Sequence, residues 1–200
     1  MATRKVKPLI TYIVDSREQL PFAFGEPVRS EFADGGSAVE GLDTGDYSVR
    51  LDGELLSIRI ERKNLGDLFG VCGNGRDRFV RELERLTAFE YRAIVVEAPA
   101  HQILAGYERS RIPGRGVMAS LCCWSVQFQI PVWFADGRQP HARAAGITQR
   151  LLEEFAIHYY RNLLAGEQGK DAESVVRANP GGSETTIPND SASVDASGES

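Results

Sequence analysis

The chain has 200 residues, 42% of them hydrophobic, and a formal net charge of −5 at pH 7. This length suits one well-packed domain and is too short for two large ones. No apolar run approaches the roughly 20 residues that a membrane-spanning helix needs, and the start, MATRKVKPL, lacks the apolar region of a signal peptide. We therefore expect a cytoplasmic protein with no membrane partner.

The negative charge is concentrated in the C-terminal segment. Residues 166–200 contain seven acidic and two basic residues, whereas residues 1–165 contain 21 of each sign. The segment 166–200 is rich in Gly, Ser and Asp and has no aromatic residue, which predicts a disordered acidic tail after a folded domain of residues 1–165. A neutral domain is compatible with a local basic surface for nucleic acid. Cys72, Cys122 and Cys123 form no CxxC pair, so we expect reduced thiols.

The first half of the chain predicts strands. PLITYIV, residues 8–14, suits a buried strand that ends at Asp15. Residues 19–45 are rich in Gly and Pro and predict short strands at PVRSEF and SAVEGL. YSVRL and LLSIRIERK flank Asp52-Gly53, a dipeptide that readily supplies a tight turn, so they predict an antiparallel hairpin.

Helices and strands alternate after the hairpin. We expect helices over 65–70, 76–89, 117–128 and 143–164, and strands at YRAIVVEA (91–98) and IPVWF (130–134). Helical spacing assigns core-facing residues to the second and last helices: Phe79, Leu83 and Leu86, and Ile147, Leu151, Phe155, Tyr159 and Leu163. This order predicts an α/β domain with a central mixed sheet and helices on both faces.

The segment LLSIRIERK carries the clearest chemical pattern, because side chains alternate between the faces of a strand. The apolar residues at positions 56, 58 and 60 share one face, and Glu61 and Lys63 project together from the other. Asp46 lies at the start of the paired strand, where the hairpin can bring its carboxylate beside Glu61. The alternative is an ordinary solvated strand face with a weak ion pair.

Two adjacent carboxylates repel each other, and a hard cation with oxygen ligands relieves that repulsion. Mg²⁺, with Mn²⁺ as a substitute, is therefore the expected cofactor. A divalent cation beside a lysine is suited to phosphodiester hydrolysis.

Four motifs in order make the chain resemble the nuclease domain of the XPF (xeroderma pigmentosum group F) type. They are VDSRE at 14–18, GDY at 45–47, IERKNLGDL at 60–68 and RFVRELERL at 78–86. The family signature is a GD pair followed at variable distance by ERK, then three residues and a D. In this chain these positions are Gly45-Asp46, Glu61-Arg62-Lys63 and Asp67. The resemblance runs to about residue 164. It implies a restriction-endonuclease-like α/β fold of the PD-(D/E)xK type. It also implies a stand-alone nuclease domain like those of bacteria or phages, and hence a protein located in a bacterial cytosol or a phage-infected cell.

The resemblance also implies roles for these residues. Asp46, Glu61 and the backbone carbonyl of Arg62 would bind the metal, with Asp15 as a further catalytic and metal-binding acid and Asp67 as a supporting acid. Lys63 would be the catalytic lysine. Arg17 would contact phosphate and be oriented by Glu18, unless the two form only a surface salt bridge.

The DNA-binding surface is a further expectation. Arg78, Arg81 and Arg85 lie on one side of a helix and would follow the DNA backbone, although the acids between them also suit a mixed surface helix. The expected partner is branched or flapped DNA, cut at flaps, forks or junctions.

Two alternatives stay open: a non-catalytic DNA-binding partner subunit of the same fold, and an enzyme of this fold acting on intact duplex. The family also implies a homodimer, which would use the helices over 117–128 and 147–163. Trp124, Trp133 and Phe128 suit a core or dimer contact. The three histidines are expected on the surface or in helix packing: His101, His141 and His158.

Overall fold

The computed structural model describes residues 6–178. It contains seven strands: β1 (Leu9–Asp15), β2 (Ala33–Glu40), β3 (Tyr47–Leu51), β4 (Glu54–Leu55), β5 (Ile58–Lys63), β6 (Tyr91–Val96) and β7 (Val132–Phe134). The helices are α1 (Leu65–Cys72), α2 (Arg76–Leu86), α3 (Ala100–Ala105), α4 (Gly114–Phe128) and α5 (Pro140–Ala178). No helix in this part of the chain is both long and apolar enough to cross a membrane.

The strands form one mixed sheet in the order β2-β1-β3-β5-β6-β7, with β4 beside β3. β1 is parallel to β2 and antiparallel to β3, and β5 is antiparallel to β3 and parallel to β6, which is in turn parallel to β7. The predicted hairpin turn is present at Asp52 and Gly53, whose φ angles are +49° and +87°. Both central residues therefore have the positive φ that a tight hairpin turn needs.

A separate apolar core covers each face of the sheet, because successive side chains of a strand point to opposite sides. The first core joins Tyr12, Tyr47 and Ile60 to residues of α5, and the second joins Ile94 and Trp124 to helices α1–α4. The predicted α/β architecture of a mixed sheet flanked by helices is thus confirmed.

Several local predictions are wrong. PVRSEF forms no strand. The strand predicted at SAVEGL is present in part, because residues 37–40 are the end of β2, an edge strand parallel to β1 that begins earlier, at Ala33. α3 was not predicted, because its six residues are too few for a periodic pattern. The helix at Pro113-Gly114 begins at Gly114, not at residue 117.

The predicted core face of α5 is only partly right: Ile147, Leu151, Phe155 and Tyr159 are partly buried and pack against the first core. Leu163 is 48% exposed, and the fully buried positions lie one residue further along each turn, at Thr148, Leu152 and Ala156. The cause is that the buried face includes polar Gln149 and Glu153, which hydrogen-bond the loop before β2. An apolar pattern alone cannot find such a face.

The chain divides into a compact unit ending at Arg161 and a second beginning at Asn162. α5 extends to Ala178, beyond the predicted domain end at residue 165. The rest of the predicted tail, residues 179–200, lies outside the described residues.

Candidate active site

The acidic residues singled out in the sequence meet on one face of the sheet. Val14, Tyr47 and Ile60 point into the α5-side core, so the side chains that follow or precede them, Asp15, Asp46 and Glu61, point to the opposite face. The backbone N–H of Asp15 donates to the carbonyl of Asp46 at 2.8 Å, and the N–H of Asp46 donates to the carbonyl of Ile60 at 2.9 Å. Adjacent strands β1, β3 and β5 therefore hold the three acids together.

A cleft of about 480 Å³ opens beside them, and acids outnumber bases in its lining. Asp15, Asp46 and Asp67 line this cleft, together with Arg17 and Arg85. We call it the acidic cleft. Glu61, which is 1% exposed, lies beneath it and does not line it.

Gly45 is what lets Asp46 approach β5 so closely. Its φ is +73°, and a Cβ at this position would lie 3.3 Å from the Cβ of Arg59 and 3.4 Å from the carbonyl of Ile60. A larger residue would therefore be strained and crowded against β5.

Lys63 contacts both its strand neighbours. Its ammonium donates to Oε1 of Glu61 and, at 3.3 Å, to the backbone carbonyl of Arg62. The other Glu61 oxygen, Oε2, is buried and has no hydrogen-bond partner within the described chain. A buried carboxylate oxygen without a partner is costly unless a proton or a cation joins it.

The electrostatics of the three groups are linked. Burial raises the pKa of Glu61, the charge of Asp46 raises it further, and Lys63 opposes both. Burial likewise raises the pKa of Asp46 to about 6 against the influence of Lys63 and of the Arg62 N–H, which donates to Asp46 Oδ2 at 2.7 Å. Burial alone would lower the pKa of Lys63, but Glu61 and Asp46 outweigh it, so the pKa is raised and the ammonium stays protonated.

The described residues include no group of three or more His, Cys, Asp or Glu side chains arranged to hold a metal ion. The expected donor set has two carboxylates, on Asp46 and Glu61, and one backbone carbonyl, on Arg62. The unpartnered Oε2 of Glu61 and the exclusively oxygen donors fit a hard cation such as Mg²⁺.

Asp15 is engaged differently from the other two acids. Arg17 donates to it three times, from its backbone N–H at 2.8 Å, Nε at 2.8 Å and Nη2 at 3.0 Å, and the N–H of Leu42 donates at 2.7 Å. Burial would raise its pKa, but these hydrogen bonds outweigh burial and lower it. Both carboxylate oxygens thus already accept hydrogen bonds within the protein.

The expectation that Glu18 orients Arg17 is wrong. Asp15 holds Arg17, whereas Glu18 accepts from Nη1 of Arg62 at 2.8 Å. Arg17 and Glu18 therefore do not form a surface salt bridge with each other either. Arg17 remains 68% exposed at the acidic cleft, available to a ligand.

Sequence reasoning missed the ion cluster on the reverse face of β5. The Arg62 guanidinium, 7% exposed, donates to Glu97 from Nε at 2.7 Å and from Nη2 at 3.0 Å, in addition to its bond to Glu18. His141 Nδ1 lies 2.8 Å from Glu97 Oε1, so this histidine is not simply a surface residue. Glu97 follows β6, the parallel neighbour of β5, and this shared sheet edge is the signal that could have found it.

The remaining predicted residues separate by position. Asp67 is an exposed residue of the first turn of α1, where its backbone N–H donates to Oδ1 of the N-cap residue Asn64 at 2.9 Å. Arg85 lines the acidic cleft, Arg78 lines a neighbouring hollow with Lys63, and Arg81 lines neither. Glu82, which was not predicted, lines the acidic cleft, and its charge also raises the pKa of Asp46.

Scans against protein-family models and against curated proteins give no match. Among solved structures, XPF from Aeropyrum pernix is 24% identical, with a TM-score of 0.52, over 72% of this chain and 60% of that chain. XPF from Aeropyrum pernix in complex with DNA is 23% identical, with a TM-score of 0.51, over 75% of this chain and 66% of that chain.

The chain therefore spans less than two thirds of either archaeal chain. At these identities the likeness concerns the fold. The chain has the α/β fold of these XPF structures, a mixed sheet flanked by helices.

Proposed function

We propose that the chain is a divalent-metal-dependent DNA endonuclease that cuts flaps, forks or junctions. The observation that carries this proposal is the grouping of Asp46, Glu61 and a protonated Lys63 on adjacent strands, with one buried Glu61 oxygen unpartnered. The similarity in fold to XPF from Aeropyrum pernix in complex with DNA supports the same substrate class. Fold alone does not specify activity, so the site has to carry the argument.

In the proposed reaction, Asp46, Glu61 and the Arg62 carbonyl hold Mg²⁺, with Mn²⁺ as a substitute. When bound, the metal supplies electrostatic stabilisation of the negative charge that develops on the phosphodiester. The Lys63 ammonium adds a second positive charge beside the same carboxylates and can donate a hydrogen bond to the reacting phosphate or its attacking water.

The remaining cleft residues bind and position. Arg17 and Arg85 project into the acidic cleft and bind backbone phosphates on either side of the cut. Asp15, whose oxygens are occupied by Arg17 and Leu42, supports the site by fixing Arg17. Asp67 has a supporting position at the wall of the cleft, and Arg78 contacts a phosphate next to Lys63. The nuclease domain comprises residues 1–165.

The test is a cleavage assay with Mg²⁺ or Mn²⁺ on labelled 3′-flap, fork, four-way-junction, duplex and single-stranded DNA, beside Lys63→Ala. Metal-dependent cutting of flaps or forks that the substitution abolishes is the expected result. Cutting of intact duplex alone would replace the structure-selective reading. Binding of every substrate without cutting would support a non-catalytic DNA-binding subunit instead.

We also propose that the chain forms a homodimer. Trp124 and Phe128 are buried in the protomer, so the exposed face of α4 is the face that includes Val126, which is 73% exposed. Trp133, 46% exposed on the edge strand β7, does not belong to this face, because its neighbours Val132 and Phe134 pack on the α4 side of the sheet and Trp133 points to the other side. Light scattering should give a dimer mass for the wild type and a monomer mass for Val126→Glu. Val39→Glu, at a 71% exposed position on the opposite edge strand, is the matched control and should stay dimeric.

A further inference from the structure

The acidic cleft continues along the surface into three further hollows. The first, of about 460 Å³, shares Asp67 with the acidic cleft and contains Lys63 and Gly70. The second, of about 600 Å³, shares Gly70 with the first and reaches Arg111. The third, of about 870 Å³, shares Arg111 with the second. We call this succession, from Asp67 through Gly70 to Arg111, the trough.

Charge changes sign along the trough. Acids predominate in the acidic cleft, whereas the far end is lined by Arg109, Arg111 and Arg115, all exposed, with Glu108 as the single acid among the residues lining the second and third hollows. Arg109 lies 4.0 Å from Glu108, and both are strongly exposed, so their attraction is weak. Arg111 and Arg115 form no ion pair within the described chain. Their charge is therefore available to an anion.

The backbone is also accessible along the trough. Gly70 is exposed, and nothing lies within 4 Å of the place where a Cβ would stand. Such a glycine lets a phosphate backbone approach the main chain closely. α4 begins at Gly114, in the third hollow, so the positive end of its helix dipole adds to the charge of the arginines there.

We propose that the trough holds the phosphodiester backbone of a single DNA strand that extends from the scissile bond towards Arg111 and Arg115. A flexible single strand can follow consecutive hollows, whereas a duplex presents its phosphates on a stiff, convex surface. The scissile phosphate then lies at the metal-binding carboxylates and its neighbours lie against positive charge. This inference rests on the proposed nuclease function, and it names the strand and the surface that binds it.

The test is the salt dependence of binding to a labelled oligothymidylate by the full chain, in buffer with EDTA so that no cutting intervenes. Arg111→Ala/Arg115→Ala is compared with the wild type and with Arg138→Ala/Arg143→Ala, which removes the same charge from exposed residues outside the trough. Each phosphate contact to single-stranded DNA contributes about 0.7 to the slope of log affinity against log salt. The trough variant should therefore have a slope shallower by about 1.4, and roughly 25-fold weaker binding near 0.1 M salt. The control should match the wild type.

Equal slopes for the trough variant and the wild type would overturn the inference. If the wild type cut flaps but did not bind oligothymidylate, the trough would be refuted and the nuclease would stand. If the wild type neither bound nor cut any DNA, both proposals would fall. Circular dichroism of each variant checks that the fold is intact.

Discussion

Removing Glu97 tests whether the buried ion cluster behind β5 holds the site in place. The Arg62 guanidinium is 7% exposed and donates two of its three charge-assisted hydrogen bonds to Glu97, at 2.7 and 3.0 Å. Breaking a buried pair costs about 3–5 kcal/mol because it leaves an uncompensated charge. Glu18 still pairs with Arg62 at 2.8 Å in the variant, so we expect Glu97→Ala to cost about 3 kcal/mol.

The measurement is urea unfolding at neutral pH, with the free energy of unfolding extrapolated to water. For a chain of this size, about 3 kcal/mol corresponds to a fall in Tm of roughly 6–12 °C. Glu154→Ala is the control, because Glu154 is 49% exposed and its pair with Arg29 should contribute about 0–1 kcal/mol. Glu97→Gln should fall between the two. A loss below about 1 kcal/mol for Glu97→Ala would refute the view that this cluster fastens β5 to β6.

Three further substitutions probe the metal site, the loop before β2 and the start of α4. Asp46→Asn should weaken both Mg²⁺ binding, measured by calorimetry, and cleavage; unchanged Mg²⁺ affinity would remove Asp46 from the ligand set. Glu153→Ala deletes a buried acceptor of the backbone N–H groups of Val28 and Arg29, at 3.0 and 2.7 Å. It should raise the rate of amide hydrogen exchange in the loop before β2. An unchanged exchange rate would argue that Glu153 does not hold this loop in place. Gly114→Ala would press a methyl group against backbone carbonyl oxygens of α3 and should lower the free energy of unfolding in urea by about 1–3 kcal/mol. Gly116→Ala is the control, because there is open space around Gly116, and it should be neutral or stabilising.

The predictions from the sequence succeeded where the information is local. Strand alternation in LLSIRIERK placed positions 56, 58 and 60 in one core and Glu61 on the opposite face, as the structure has them. Asp52-Gly53 fixed the turn, because few dipeptides accept two positive φ angles. This hairpin turn reverses the chain, so that β5 pairs antiparallel with β3.

Long-range partners could not be predicted. The sequence predicted a strand at SAVEGL, which overlaps the end of β2, but neither its parallel pairing with β1 nor its start in ADGG, whose glycines disfavour a strand in isolation. Glu97 and Arg62 are 35 positions apart and meet only because β5 and β6 are neighbours. The buried Gln149 and Glu153 follow the same rule, since their partners lie more than 100 residues away.

The central claim is tested most directly by single-turnover cleavage of a 3′-flap in Mg²⁺. The wild type is compared with Lys63→Ala, and the Kd of each protein for the same DNA is measured in parallel. The account predicts a rate at least about 10²-fold lower for Lys63→Ala with an unchanged Kd, because the ammonium acts on the charge that develops during the reaction. Equal rates, or a rate loss explained entirely by weaker binding, would contradict it.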